Sequence, residues 1–218
     1  GTLPSGFVQT QAANSALKWE TTDELNVGVD FAVLKDKLFG SFDYFTRKTS
    51  GILITPPVAA TLGEGQTKAV NGASKSNKGW EFVLGYKGIT NNNFRYNITA
   101  NFTHFRDKIT ELPENVRPAY AGNLVNTIIG HSQFDIFGYK TDGLFQSQSE
   151  VDAAPAQVGA GPGRIKYVDI NNDGRIDDLD RTWIGTTLPA LEYGLRVDLV
   201  YKKLDFSVFG SGVAGREG

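Results

Sequence analysis

The 218-residue chain contains no cysteine, has only two histidines and carries no excess of positive charge. Without cysteine there is no disulfide framework, no thiolate nucleophile and no cysteine-ligated zinc. Because 22 lysines and arginines stand against 24 aspartates and glutamates, no basic field exists to hold nucleic acid. No apolar run reaches the roughly 18 residues of a membrane-spanning helix, and the first residues, GTLPSGFVQTQ, lack the features of a signal peptide. These absences exclude a helical membrane protein and leave a membrane β-barrel open.

What the chain does contain favours strands and turns, because it has 25 glycines, 14 phenylalanines and 8 tyrosines. Residues 24–33 alternate, with Val27 and Val29 on one face of a strand and Asn26 and Asp30 on the other. The same alternation predicts six strands, over residues 24–33, 38–48, 80–86, 94–104, 191–201 and 205–212. Successive strands are antiparallel where a short turn joins them.

The connections between these strands alternate between short and long. Turns of a few residues alternate with connections of about 30 residues, over 48–77, and of more than 80 residues, over 105–190. All short turns therefore lie at one end and all long connections at the other, as in an outer-membrane barrel. The polar strand faces are mostly Asn, Thr, Ser and Gly, which suits a water-filled lumen better than the surface of a soluble sheet.

Aromatic residues near the strand ends fit the interfacial girdles of such a barrel. They are Tyr44, Trp80, Tyr86, Phe94, Tyr193 and Tyr201. The alternative is that the same side chains fill the core of a soluble β-sandwich, which also shows alternation. Six strands are fewer than the roughly eight of the smallest membrane barrels, so the chain is expected to be a segment of a larger barrel.

Three long segments resemble a known family and follow one another in the family's order. They are SALKWETTDELNVGVDFAVLKDKLFGSFDYFTRKTSGIL, GRIKYVDINNDGRIDDLDRTWIG and LEYGLRVDLVYKKLDFSVFGSG. They are similar to the C-terminal half of SusC/RagA-type TonB-linked outer-membrane proteins. The resemblance implies an all-β, antiparallel transmembrane barrel of about 22 strands with an N-terminal plug. It also implies import of glycans or peptides across the outer membrane of Bacteroidota, with a SusD-like surface lipoprotein as lid and the TonB complex as power source.

On this resemblance, residues 1–218 form the C-terminal part of the barrel, and residues 105–190 form a long extracellular loop. The plug, the TonB box and the signal peptide of the family have no counterpart in these residues, so the TonB complex would act through an N-terminal part outside them. Expected contacts of the assembled protein are outer-membrane lipid, the lipoprotein and the substrate, with no nucleic acid.

The stretch DINNDGRIDDLD, residues 169–180, has the spacing of a twelve-residue calcium loop. The predicted ligands are Asp169, Asn171, Asp173, the backbone carbonyl of Arg175, Asp177 and Asp180. Hard oxygen ligands favour calcium, and Gly174 allows the sharp turn at the sixth position. Two features differ from an EF-hand: Asp180 replaces the usual glutamate, and neither flank predicts a helix. The loop is either a structural Ca²⁺ site or a turn closed by Asx-type hydrogen bonds without an ion.

No motif predicts an enzyme. The sequence has no GxSxG, HExxH or phosphate-binding glycine loop. His104 and His131 are isolated, and the neighbouring Asp177 and Asp178 belong to a turn with no second carboxylate opposite them. We therefore expect carriage of a substrate instead of chemistry.

Candidate substrate contacts lie in the long connection. They are Phe134, Phe137, Tyr139 and Phe145, whose rings suit stacking on sugars or holding a peptide. The alternative is that the same rings pack the loop on itself or face the lipoprotein. Further along, SQSEVDAAPA predicts a short helix that begins after a serine cap.

A competing interpretation of the whole chain is a soluble, calcium-stabilised β-sandwich that binds carbohydrate or acts in adhesion. The acidic loop would then be part of a dockerin-type repeat. Such a repeat requires a second copy of the loop and helices after it, and the sequence has neither.

Overall fold

The computed structural model describes residues 13–55, 68–91 and 94–217. Six long strands form one antiparallel sheet. In their order across the sheet, which is also their order along the chain, they are β1 (Thr21–Val33), β2 (Leu38–Ile54), β3 (Val70–Asn91), β4 (Phe94–Glu111), β9 (Leu191–Tyr201) and β10 (Leu204–Ala214). Each neighbouring pair is antiparallel, so the predicted all-β, antiparallel architecture is confirmed.

The register of the sheet places most of the apolar residues of the six strands on one face. One row across the sheet consists of Val29, Phe42, Phe82, Phe102, Tyr193 and Gly212. The adjacent row consists of Gly28, Asp43, Glu81, Thr103, Glu192 and Val213. Because successive side chains point to opposite faces, the sheet has an apolar face, which carries Phe82, and a polar face, which carries Glu81.

Several glycines of the sheet lie directly opposite an aromatic residue of the next strand. The pairs are Phe31 with Gly40, Phe39 with Gly85, Phe45 with Gly79, Tyr96 with Gly88 and Tyr193 with Gly212. In each pair a Cβ on the glycine would overlap the ring opposite. The absence of a side chain therefore lets each ring lie across the neighbouring strand, an arrangement that also fixes the register.

The strands are longer than the alternation predicts at the end opposite the short turns. Strand β2 continues to Ile54, β3 begins at Val70 and β4 continues to Glu111. The predicted bounds of both long connections, 48–77 and 105–190, are therefore wrong, and the actual connections cover 55–69 and 112–190. Register shifts near Thr49 and Ser74 interrupt the alternation there, because a β-bulge places an extra residue in one strand.

The connection between β4 and β9 covers residues 112–190 and is called the excursion below. It contains two two-stranded sheets, β5 (Asp135–Tyr139) with β8 (Arg181–Thr186) and β6 (Thr141–Leu144) with β7 (Ile165–Tyr167). The predicted short helix is confirmed as α1 (Gln148–Ala153), which Ser147 caps by accepting a hydrogen bond from the backbone of Glu150. Short 3-10 helices cover Arg117–Ala119 and Asp178–Asp180.

The main hydrophobic core lies where the ends of β2 and β3 meet the start of the excursion. Its buried members are Ile54, Ala73, Leu112, Val116 and Ile128. The apolar face of the sheet, by contrast, leaves Val29 62% exposed and Phe206 60% exposed. A sandwich would require a second sheet against this face, so the sandwich interpretation is wrong.

No helix in the described ranges has the length and apolar character needed to cross a bilayer.

Candidate functional site

The polar face of the sheet carries charges of both signs, held in place by neighbouring strands. Arg47 of β2 forms an ion pair with Glu24 of β1, with Nη2 2.8 Å from Oε2. Asp43 lies directly opposite Glu81 of β3. These residues line an open hollow of about 410 Å³. In the half of the sheet that lies away from the short turns, the polar face therefore carries charged and hydrogen-bonding side chains.

A second charged group lies further down the same face. The guanidinium Nε of Arg196 is 3.0 Å from Oδ1 and 2.9 Å from Oδ2 of Asp198. Ser207 of β10 donates a hydrogen bond of 2.7 Å to the same carboxylate. The polar face thus combines ion pairs, Arg47 with Glu24 and Arg196 with Asp198, with further carboxylates such as Asp43 and Glu81.

In the excursion, the acidic loop is built around the buried side chain of Asp180. This residue is 0% exposed, and its carboxylate accepts hydrogen bonds from the backbone N–H groups of Ile170, Asn171 and Asp177. Burial of the carboxyl raises its pKa, but these backbone hydrogen bonds outweigh burial, so the pKa lies below the ordinary aspartate value. The negative charge of Asp180 is therefore stabilised by backbone dipoles.

The first half of the loop is closed by Asp169. Its carboxylate accepts hydrogen bonds from the backbone N–H of Asp173 at 3.3 Å and of Gly174 at 2.8 Å. Gly174 has φ 85°, which a residue with a side chain rarely adopts. The guanidinium of Arg175 lies 3.5 Å from Asp173 and 3.1 Å from Asp177, so a cationic side chain offsets part of the loop's negative charge.

The predicted calcium ligands are thus near one another in sequence, but their side chains turn to the backbone. Asn171 accepts a hydrogen bond from the backbone N–H of Asp173 and donates one to its carboxylate. Among the described residues, no group of three acidic or histidine side chains is arranged to hold a metal ion. A carboxylate oxygen that accepts one hydrogen bond still has a second lone pair with which it could bind an ion. Calcium binding therefore stays a prediction.

The loop is also tied to the rest of the excursion. Ala156 forms a bridge to Arg175, with hydrogen bonds that involve the backbone of Gly174 and Ile176. The side chain of Asn123 donates to the carbonyl of Asp178 at 2.7 Å. Contacts from two distant segments therefore hold the loop in one position.

The predicted aromatic contacts divide into packed and open side chains. Phe145 is 2% exposed. Phe137 lies with its ring centroid 5.0 Å from that of Trp183, and Tyr139 lies 4.9 Å from the ring of a neighbouring tyrosine. Phe134 alone of the set is 45% exposed. Packing of the excursion therefore accounts for most of these rings, and Phe134 is the one that is open to a ligand.

Both histidines make structural contacts. The ring of His104 shares a hydrogen bond between Nδ1 and the carbonyl of Ala190. His131 stacks on Trp183 with ring centroids 4.1 Å apart, and its Nδ1 lies 3.3 Å from Asp135.

Sequence-based reasoning missed a set of cations on the apolar face, at the strand ends away from the short turns. They are Lys48, Lys78, Arg106 and Lys108. The strands were predicted to run over 38–48, 80–86 and 94–104, so Lys78, Arg106 and Lys108 lay outside the predicted strands. The available signal was their spacing, since each is an even number of residues from an aromatic or histidine residue of the same strand.

Comparison with known proteins assigns this architecture to a family. The family model described as "TonB dependent receptor-like, beta-barrel" matches residues 2–204. TonB-dependent receptor P3 of Formosa agariphila is 30% identical over 98% of this chain and 22% of its own length. TonB-dependent receptor SusC of Bacteroides thetaiotaomicron is 29% identical over 90% of this chain and 20% of its own length.

Solved structures show the same fold. The RagAB peptide importer in its "open-open" state superimposes with a TM-score of 0.70 at 19% identity, over 95% of this chain and 22% of that chain. Another RagAB peptide transporter structure gives a TM-score of 0.68 at 18% identity. The chain thus spans about a fifth of the length of its relatives. These relatives are outer-membrane receptors of Gram-negative bacteria and not a class of enzymes. The chain belongs to the TonB-dependent receptor-like β-barrel family, as a segment of a larger SusC/RagA-type barrel.

Proposed function

We propose that this chain forms the C-terminal wall of a SusC-like TonB-dependent transporter, which imports glycans or peptides across the outer membrane of a Bacteroidota cell. The observation that carries the proposal is the register of the six-stranded sheet. It keeps one apolar face across every strand and sets an ion-paired polar face against it, which suits lipid on one side and a water-filled passage on the other.

The proposed partners are a SusD-like surface lipoprotein on the outside and the TonB complex on the inside. Support for the lipoprotein comes from the relatives, since this chain is similar to SusC and to RagAB. The TonB complex would act through the N-terminal part of the whole protein, outside these residues. The excursion, which lies at the end opposite the short turns, is the part of this chain nearest to a surface partner.

Glycans and peptides are both compatible with the polar face. Paired charges such as Arg47 with Glu24 and Arg196 with Asp198 offer hydrogen bonds to hydroxyl groups and to backbone amides alike. Phe134 adds an exposed ring in the excursion, which suits either a sugar ring or an apolar peptide side chain.

The proposal is tested with the full-length protein in its own host. A strain that lacks the gene is grown on single oligosaccharides or on defined peptides as limiting nutrient, beside the same strain carrying the intact gene. We expect the deletion to abolish growth on one of these classes, and removal of TonB function to give the same defect. Normal growth of the deletion strain on every glycan and peptide that the parent uses by an energy-dependent route would contradict the proposal.

A further inference from the structure

The apolar face ends, on the side of the long connections, in a row of ring-bearing residues. Tyr44, Trp80 and His104 lie opposite one another on β2, β3 and β4, and the rings of Trp80 and His104 are 5.9 Å apart. From Phe94 to His104 the face extends for about ten residues of β4. At about 3.4 Å per residue and a tilt of about 40°, this corresponds to about 26 Å, close to the ~25 Å apolar band of an outer-membrane barrel. The row therefore marks the outer boundary of the hydrocarbon.

Beyond this boundary the same face becomes basic. The next outward row holds Lys78 opposite Arg106, and the following row holds Ser76 between Lys48 and Lys108. We call Lys48, Lys78, Arg106 and Lys108 the basic rows. At about 3.4 Å per residue, they lie about 7 and 14 Å along the strands beyond the ring-bearing row. That is the depth of lipid head groups.

In the described part of the chain, the basic rows keep an excess of positive charge. None of these residues takes part in an ion pair there. The guanidinium of Arg106 donates to the carbonyls of Phe105 and Pro189, which fix its position but leave its charge. Asp23 lies opposite Lys48 and is the acidic residue of these two rows.

A cavity of about 670 Å³ opens at the same place and is lined by Trp80, Lys78, Arg106 and Lys108 among others. Two carboxylates also line it, and the three cations Lys78, Arg106 and Lys108 outnumber them. Asp107 accepts a hydrogen bond from Ser132 at 2.6 Å, and Asp135 accepts one from the backbone of Ser132. The cavity thus combines an aromatic floor with cations above it.

We propose that the basic rows bind the phosphate groups of lipopolysaccharide in the outer leaflet. Phosphate is the anionic group at this depth, and clustered lysines and arginines beside a membrane surface bind anionic head groups. An anchored guanidinium also suits the planar recognition of phosphate oxygens. The inference rests on the membrane orientation in the proposed function, but not on which substrate is carried.

The test uses the full-length receptor purified from outer membranes in mild detergent. Its affinity for purified lipopolysaccharide and for the same lipid after enzymatic dephosphorylation is measured by thermophoresis. The K48Q/K78Q/R106Q/K108Q variant is compared with a matched K35Q/K37Q/K202Q/K203Q variant, which also removes four positive charges but at the short-turn end. We expect at least tenfold weaker binding in the first variant, wild-type binding in the second, and an equal loss on dephosphorylation of the lipid.

Three results would overturn the inference: wild-type affinity in the first variant, equal loss in both variants, or equal affinity for the dephosphorylated lipid. Unchanged lipid binding with loss of a co-purifying lipoprotein would reassign the basic rows to a protein partner. If the first variant fails to reach the membrane, K78Q/K108Q with K202Q/K203Q as control replaces it under the same criteria. Because the measurement is lipid affinity, its failure is distinct from a failure of uptake.

Discussion

The sheet and the excursion differ in how far their side chains are buried. In the sheet, Val29 and Phe206 are more than half exposed, whereas in the excursion Phe145 and Asp180 are almost completely buried. In the sheet, strand pairing provides the hydrogen bonds of the backbone, but the side chains of the apolar face stay exposed within this chain. The excursion instead buries side chains against itself. The sheet therefore depends on lipid and on the remaining strands of the barrel, whereas the excursion is stabilised by its own packing.

The largest expected effect comes from placing a charge on the apolar face. Leu84→Arg is expected to destabilise the full-length barrel by about 2–4 kcal/mol, because the guanidinium would lie in hydrocarbon. Val83→Arg, one residue earlier, places the same group on the polar face and should change stability little. The measurement is urea unfolding of the receptor in lipid vesicles. Equal effects of both variants would contradict the assignment of the two faces.

The next effect concerns the acidic loop of the excursion. Asp180→Ala removes the acceptor of buried backbone N–H groups and should lower local stability by about 2–3 kcal/mol. Asp178→Ala removes only the exposed ion pair with Arg181 and should have an effect below about 1 kcal/mol. Hydrogen exchange at the amides of Ile170 and Asp177 reports the difference. Unchanged protection in Asp180→Ala would show that the carboxylate does not hold the loop.

The same carboxylate predicts how the loop responds to acid. Because the pKa of folded Asp180 lies below the ordinary value, its contribution is fully present above about pH 4 and is lost as pH falls through the folded-state pKa. Amide protection at Ile170 should therefore stay constant from neutral pH down to about pH 4, after correction for intrinsic exchange, and decline below it. A decline centred near neutral pH would contradict this account.

A smaller effect is expected from the glycines that lie opposite aromatic rings. A Cβ at Gly40 would overlap the backbone carbonyl of Val83 and the ring of Phe31, whereas a Cβ at Gly210 would meet open space. Gly40→Ala should therefore lower the free energy of unfolding by about 1–3 kcal/mol, and Gly210→Ala, also on the apolar face, should not. Thermal unfolding in detergent provides the comparison, and equal melting temperatures for the two variants would show that the ring moves away without cost.

The smallest expected effect is that of calcium on the excursion. If the loop binds Ca²⁺ with a dissociation constant of about 10⁻⁴–10⁻³ M, millimolar calcium should stabilise it by about 1 kcal/mol. Calorimetry and anomalous diffraction on the intact protein at millimolar calcium measure this. Asp173→Asn serves as the control with one charge less. Absence of both heat and an anomalous peak would leave the loop as a turn closed by hydrogen bonds.

The two faces of the sheet were predictable from sequence because the face on which a side chain lies depends only on its position along its own strand. Val27 and Val29 differ from Asn26 and Asp30 in the two-residue period that a strand imposes. The upper strand ends were not predictable, because the bulges near Thr49 and Ser74 break that period. The local pattern therefore predicts which residues lie on each face of the sheet but not how long the strands are.

In the acidic loop, the turn at Gly174 was predictable and the burial of Asp180 was not. The turn needs a positive φ at Gly174, where φ is 85°, and glycine adopts such a value readily. Around Asp180, the loop also receives contacts from Asn123 and Ala156, which approach from elsewhere in the excursion. Contacts of this kind follow from chain topology, which the spacing of acidic residues does not report.

The pairing of aromatic residues with glycines also has a consequence for passage through the pore. On the polar face, the rings of Phe39 and Phe45 cover Gly85 and Gly79, so they lie along the wall instead of projecting inward. A phenylalanine that stood upright at these positions would narrow the opening by the length of its side chain. The glycines of one strand thus determine how far the aromatic residues of the next project from the wall. In the proposed transporter, a solute moving along this wall would meet flat rings between charged groups.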